Sequence, residues 1–142
     1  MGSNILNEIK TTPLETIRRE GGSVLHGIKK SDIGYDGFGE AYFSVIENNK
    51  IKAWKCHQQM TMNLVVPYGQ VKFVFCDKNS NPRFKVIEIG QNNYQRITVP
   101  PNIWFGFQGR YPPYSLILNL ANVEHDPTEV KRLLIDEIYF KW

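Results

Sequence analysis

Short runs of β-branched and aromatic residues, each closed by a cluster of Gly, Pro, Asn or Asp, follow one another along almost the whole chain. Eleven glycines and eight prolines in 142 residues supply the breaks and leave little room for long helices. Residues 40–46, 51–57, 61–66, 70–76, 84–89, 94–99 and 115–121 read as strands, with a shorter one at 23–28. Eight or more such strands, with turn signals at spacings of ~8–12 residues, describe an all-β sandwich, jelly roll or barrel. In 70–76, Val71, Phe73 and Phe75 alternate with Lys72, Val74 and Cys76, which places one face in the core.

The ends differ from this pattern. Residues 7–19 lack a sustained period and contain Pro13, so they read as an extended arm with room for one helical turn at 14–18. His125-Asp126-Pro127 offers an N-cap followed by an N1 proline, and a short C-terminal helical segment is expected over 128–134. No repeat or linker divides the chain. The expected organisation is one domain, with an arm at 1–20, a barrel at 21–122 and a helix and tail at 123–142.

Charge and composition exclude several classes of function. Seventeen Lys and Arg against fourteen Asp and Glu give a net charge of only +3, dispersed along the chain, which is too weak a footprint for nucleic acid. It does suit a small anion, because a diphosphate requires only two or three well-placed cations or N–H groups. No apolar run approaches the ~18 residues of a membrane helix. Residues 1–5 lack the basic and apolar regions of a secretory signal, so a cytoplasmic protein is expected. Cys56 and Cys76 form no CxxC or Cys/His cluster, which argues against a disulfide framework or structural zinc.

The chemistry-bearing stretch is 51–77, IKAWKCHQQMTMNLVVPYGQVKFVFCD, with His57 near its start. The Pro67-Tyr68-Gly69 turn reads as a hairpin between its two strands, and 84–89 and 94–99 read as another pair joined across Gly90–Asn93.

The sequence of His57-Gln58-Gln59 at a strand end, Val66-Pro67-Tyr68-Gly69, a long β pair, and Val99-Pro100-Pro101 before Gly106-Phe107 resembles the dTDP-4-dehydrorhamnose 3,5-epimerase family of the cupin superfamily. The resemblance runs over roughly residues 20–135, and Asp126-Pro127-Thr128-Glu129 sits where that family has a Pro and a nearby Glu. It implies a cupin-type jelly-roll β-barrel, a homodimer with exchanged N-terminal strands, and a mouth that binds a nucleotide-linked 4-keto-6-deoxy sugar. In that family a histidine paired with an aspartate takes the proton beside the ketone. A lysine steadies the enolate, and a tyrosine returns a proton. His57 matches the base. The lysine position falls on Met62 or Asn63, the tyrosine on Asn119, the arginine before the histidine on Trp54, and a histidine before Gly-Phe on Phe105. The related 3,4-ketoisomerases carry His-x-His where this chain has His57-Gln58-Gln59, so the chain is a divergent, short member.

These readings give a set of expected roles. His57 is the base, with Asp136 as its carboxylate and Asp126 as second choice. Asn63 and Asn119 face each other across the lumen and bind the sugar. Lys55 and Lys72 flank the mouth and meet phosphates, Trp54, Tyr68 and Phe105 stack on rings, and His26 reaches a partner's pocket. Tyr42 and Tyr68 are the phenols nearest for a replacement acid. One imidazole without convergent carboxylates cannot fill a coordination sphere, so neither metal nor cofactor is expected. The expected function is epimerase- or isomerase-like chemistry on a dTDP-4-keto-6-deoxyhexose, by proton abstraction alpha to the ketone, in cell-surface polysaccharide biosynthesis. The alternative is a non-catalytic cupin that binds a sugar or sugar nucleotide.

Overall fold

The computed structural model describes residues 4–142; of the residues used for the signal-sequence reading, 1–3 lie outside it. Twelve strands follow in chain order: β1 Lys10–Pro13, β2 Thr16–Arg19, β3 Gly22–Leu25, β4 Glu40–Glu47, β5 Ile51–His57, β6 Met62–Tyr68, β7 Gln70–Asp77, β8 Arg83–Gly90, β9 Gln95–Val99, β10 Trp104–Gly109, β11 Tyr114–Ala121 and β12 Val130–Arg132. Two five-stranded antiparallel sheets, ordered β1-β9-β6-β11-β4 and β12-β5-β10-β7-β8, make a jelly-roll barrel, and β2-β3 forms a separate two-stranded ribbon.

Consecutive strands repeatedly change sheet. β6 pairs with β9 and β11, whereas β7 pairs with β10 and β8, so Pro67-Tyr68-Gly69 is a corner between sheets and not the expected hairpin. Gly69 sits at φ +91°, and a Cβ there would lie 2.1 Å from the Ser115 hydroxyl, which is why a glycine turns this corner. In the same way β8 and β9 belong to different sheets. The expected C-terminal helix is also corrected. Asp126 does cap Thr128, but Pro127–Glu129 is a single 3-10 turn that leads into β12, and Ile135–Glu137 is another. Pairing of 130–132 with the β5 backbone supplies those residues with sheet hydrogen bonds in place of helical ones.

The lumen is filled by Met62, Leu64, Phe73, Phe75, Ile97, Phe105 and Ile117 among others. A second cluster lies outside the β5-β10-β7-β8 sheet, where Trp54, Val74, Cys76 and Ile138 pack with Phe84, Trp104, Leu133, Phe140 and Trp142. Both faces of β7 are therefore covered; the C-terminal tail buries Val74 and Cys76, the side that a period-2 reading leaves open.

One irregularity controls what faces the lumen. Phe105 pairs with Lys55 but Gly106 pairs with Ala53, so Trp54 is an extra residue on β5, a β-bulge. Phe105 and Phe107 face the lumen, and their partners Lys55 and Lys52 line the cavity with them, while Ala53 and Trp54 border the cavity from the outer cluster in which they pack. Gly106 permits the close approach, since a Cβ there would sit 2.5 Å from that of Ala53.

Candidate active site

A cavity of about 770 Å³ opens into the barrel, within the range of small-ligand sites. Its floor is apolar, with Met62, Leu64, Phe73 and Ile117, and its polar groups are Tyr42, Ser44, Asn119, Lys52, Lys55, Arg132 and Glu137.

His57 ends β5 and is 4% exposed. Its Nδ1 lies 2.6 Å from Glu129 Oε2, and its ring stacks on Phe105, a residue of the cavity wall, at 6.0 Å and 17°. The other Glu129 oxygen accepts the backbone N–H groups of Gln59 at 3.0 Å and Met60 at 2.9 Å. Burial works against the Glu129 charge, but the hydrogen bonds from His57, Gln59 and Met60 outweigh it and hold the carboxyl below its usual pKa. An ionised Glu129 accepts, so Nδ1 carries the imidazole proton and Nε2 presents its lone pair. Burial also lowers the His57 pKa, against the opposing pull of Glu129, so the ring is neutral at neutral pH. Nε2 is buried and has no protein partner.

The carboxylate on His57 is thus Glu129 and not Asp136, which stands in the exposed turn Ile135–Glu137, nor Asp126, which caps Thr128. Register explains the choice. Val130 pairs with His57, so the residue just before β12 is delivered to the imidazole.

Asn119 pairs with Leu64 on β6 and Tyr42 on β4, and all three line the cavity. Its Nδ2 donates to the Tyr42 hydroxyl oxygen at 3.0 Å and approaches Met60 Sδ at 3.6 Å, and its Oδ1 is buried without a partner. Asn63 does not face it. Because Leu64 pairs with Asn119, the neighbouring Asn63 points to the other side of the sheet, where it accepts from Thr98 at 2.6 Å and Arg96 Nε at 3.2 Å and donates to the Gly34 carbonyl. Arg96, fully buried, also donates to the carbonyls of Gly27 and Ile33, so this network fastens the 27–36 loop to the barrel.

Lys55 lines the cavity as expected, and Lys72 does not: its Nζ lies 5.5 Å from the Phe140 ring, over the outer cluster. Lys52 and Arg132, which sequence reasoning passed over, join Lys55 at the cavity. Arg132 pairs with Lys55 across β12 and β5. Burial first, and then the neighbouring charges of Arg132 and Lys52, push the Lys55 pKa down against the opposing pull of Glu129.

Trp54 packs on protein, tilted against Trp142 at 5.5 Å in the outer cluster, and it also borders the cavity. Tyr68 belongs to a tyrosine cluster with Tyr111 and Tyr114 and does not line the cavity. His26 follows the β2-β3 ribbon, where its carbonyl accepts from the Tyr94 hydroxyl at 2.7 Å, and it lines no part of this cavity. Phe105 is both a cavity wall and the surface on which His57 rests. Among the described residues, no three His, Cys, Asp or Glu side chains are grouped to hold a metal ion.

No protein-family model matches the chain, and a search of curated proteins gives no match either. Solved structures do match. A dTDP sugar isomerase from Desulfovibrio desulfuricans G20 is 30% identical, with a TM-score of 0.84 over 89% of this chain and 83% of that one. A sugar 3,4-ketoisomerase from Thermoanaerobacterium thermosaccharolyticum, solved with TDP, is 20% identical, with a TM-score of 0.75 over 93% and 95% of the two chains. The dTDP-4-dehydrorhamnose 3,5-epimerase of Bacillus anthracis, solved with TDP and PPi, is 15% identical, with a TM-score of 0.81 over 100% and 88%.

Proposed function

The chain belongs to the dTDP-4-dehydrorhamnose 3,5-epimerase-like family of the cupin superfamily, and on that premise we propose that it is a sugar-nucleotide isomerase or epimerase. It takes a proton from the carbon beside the ketone of a dTDP-linked 4-keto-6-deoxyhexose. The observation that carries this reading is the His57–Glu129 pair, 2.6 Å apart, with Nε2 buried and unpartnered. Such a dyad has the parts of a general base: a neutral imidazole, an ionised carboxylate fixing its tautomer, and a free lone pair. When Nε2 takes the proton, Glu129 stabilises the imidazolium.

Tyr42 is the proton donor on this reading. Its oxygen accepts from Asn119, so its own O–H is free to point into the cavity. The phenol that the family carries at the Asn119 position is thus replaced by one on the adjacent strand. Met62, at the cavity where the family has a lysine, offers no charge to the enolate, and neutral donors stabilise it less than an ammonium does. Lys52, Lys55 and Arg132 hold the diphosphate. The expectation is a homodimer with exchanged N-terminal strands; with β1 paired to β9 of its own chain, we propose instead a homodimer through the outer face of β4 and β11, where Phe43 and Val45 are 64% and 54% exposed beside Leu118 and Leu116. Cell-surface polysaccharide biosynthesis is the pathway we assign, from the family alone.

The loss of the family lysine and tyrosine favours the second reading, a binding protein that has kept the barrel without the turnover. Incubation with dTDP-4-keto-6-deoxyglucose, followed by proton NMR, separates the two. Conversion to an epimer or a 3-keto isomer supports the enzyme; saturable binding with no change in the sugar signals overturns it.

A further inference from the structure

Beyond β12 the chain does not leave the site. Residues 132–138 run on beside β5, and Arg132, Leu133, Leu134, Ile135 and Glu137 all line the cavity. The backbones of Leu133 and Trp54 exchange two hydrogen bonds, at 3.0 and 3.1 Å. The Trp54 indole N–H then reaches the carbonyls of Ile135 at 3.1 Å and Ile138 at 3.2 Å. Glu137 closes the same segment on itself by accepting from the Leu134 N–H. One buried indole therefore pins both ends of the Ile135–Glu137 turn to the outside of the barrel wall. The bulge that turns Trp54 outward is the one that brings Lys52 onto the same face as Lys55.

The chemistry along β5 follows a linear order. At ~3.3 Å per ladder position, Lys55 lies roughly 7 Å from His57 along the strand and Lys52, past the bulge, roughly 13 Å. β12 and the strap run antiparallel beside it, so Val130 stands at His57, Arg132 at Lys55 and Leu133 at Trp54, with Leu134 and Ile135 farther out. Leu134 and Ile135 are 71% and 45% exposed, apolar side chains standing in water at the rim of the cavity. Phe105 with the base behind it, then the cations, then a rim of Leu134 and Ile135 with Glu137 beside them, matches the order of a sugar, a diphosphate and a nucleoside.

We infer that the strap 132–138 is the wall that receives the nucleoside of the ligand, against Leu134 and Ile135, and that Trp54 is the positioning residue that sets this wall. The inference rests on the nucleotide-sugar reading above. A flat nucleobase laid over Leu134 and Ile135 removes apolar surface from water, provided the strap is already fixed in place. Trp54 supplies that order through its indole N–H, bonded to the Ile135 and Ile138 carbonyls. Its replacement loosens the strap and leaves the strand-borne cations where they are, since β12 remains paired to β5 by backbone hydrogen bonds.

The experiment compares dTDP with inorganic pyrophosphate as calorimetric probes of the wild type, Trp54→Phe and Leu134→Ser. Phenylalanine keeps an aromatic ring in the outer cluster and removes the N–H together with part of the indole's volume. The expected result for both variants is a dTDP affinity weakened roughly five- to tenfold, with pyrophosphate affinity changed by less than about twofold. With the keto-sugar substrate, KM rises by a larger factor than kcat falls. Leu134 is exposed, so its variant folds and gives the answer even if Trp54→Phe does not. Equal weakening of both probes in Leu134→Ser, or no change in either, overturns the inference while leaving the nucleotide-sugar reading intact. If the wild type binds pyrophosphate and dTDP equally well, the nucleoside has no wall and the inference fails. If it binds neither, the nucleotide-sugar reading itself fails and takes the inference with it.

Discussion

Replacing Glu129 by glutamine exchanges one carboxylate oxygen for an NH2 group and should silence the base without unfolding the barrel. The two Glu129 oxygens have separate tasks: Oε1 accepts from Gln59 and Met60, and Oε2 accepts from His57. In Glu129→Gln the amide oxygen keeps the Oε1 position, because the two backbone N–H groups require an acceptor there. The NH2 group then faces His57 Nδ1, and two donors cannot meet. The imidazole must shift its proton to Nε2, the atom whose lone pair is needed. Loss of a positioned general base costs about 10²–10⁴ in rate, equivalent to about 3–5 kcal/mol of barrier. The stability cost is smaller, about 1–3 kcal/mol, since one charge-assisted hydrogen bond is lost and the Gln59 and Met60 bonds persist. The assay is deuterium incorporation from solvent into dTDP-4-keto-6-deoxyglucose, with the tautomer read from the imidazole ¹⁵N shifts. Exchange within threefold of wild type, with the proton still on Nδ1, would refute the reasoning.

Further outcomes follow from the same geometry. The kcat/KM profile should fall on its acid side with a midpoint below the ordinary histidine value of 6.5, because burial lowers the His57 pKa. Stability follows the same sign: the unfolded state binds the His57 proton first, so stability is full above 6.5 and declines as pH falls from there through the folded pKa. Glu129, with its pKa held below 4.5, adds a second loss as pH falls below that value, and urea titrations carried from about pH 8 to about pH 3 check both. Lys52→Ala and Arg132→Ala should each weaken dTDP about tenfold and flatten the salt dependence of binding, read by calorimetry at two ionic strengths. Asn63→Ala should lower stability by about 2–3 kcal/mol, by stranding Arg96 Nε, the Thr98 hydroxyl and the Gly34 carbonyl, without a change in kcat/KM; a catalytic defect in a folded Asn63→Ala would contradict its place outside the lumen.

The strands were legible because their signal is local. β5 coincides with the run read at 51–57, and β7 extends 70–76 by one residue. Sheet membership was not, since a Pro-Tyr-Gly corner looks the same whether the next strand pairs with the last or crosses to the opposite sheet. Parity failed for a similar reason. A period-2 count sets Lys52 opposite Lys55, and only the bulge at Trp54, formed against Gly106 some fifty residues later, brings them to one face. Without knowledge that Leu64 pairs with Asn119, nothing in MNLVV says which way Asn63 points. Glu129 had a signal in the Asp126-Pro127-Thr128-Glu129 motif, but its meeting with His57 spans 72 positions and depends on the β12-β5 register.

The central claim is that His57 Nε2 takes a proton from the carbon beside a ketone. Mass spectrometry of dTDP-4-keto-6-deoxyglucose incubated in deuterated water with wild type and His57→Asn tests it most directly. The wild type should introduce deuterium beside the ketone, and His57→Asn should lose about 10²–10⁴ of that rate while still binding dTDP. Incorporation at the wild-type rate by a folded His57→Asn protein would contradict the account.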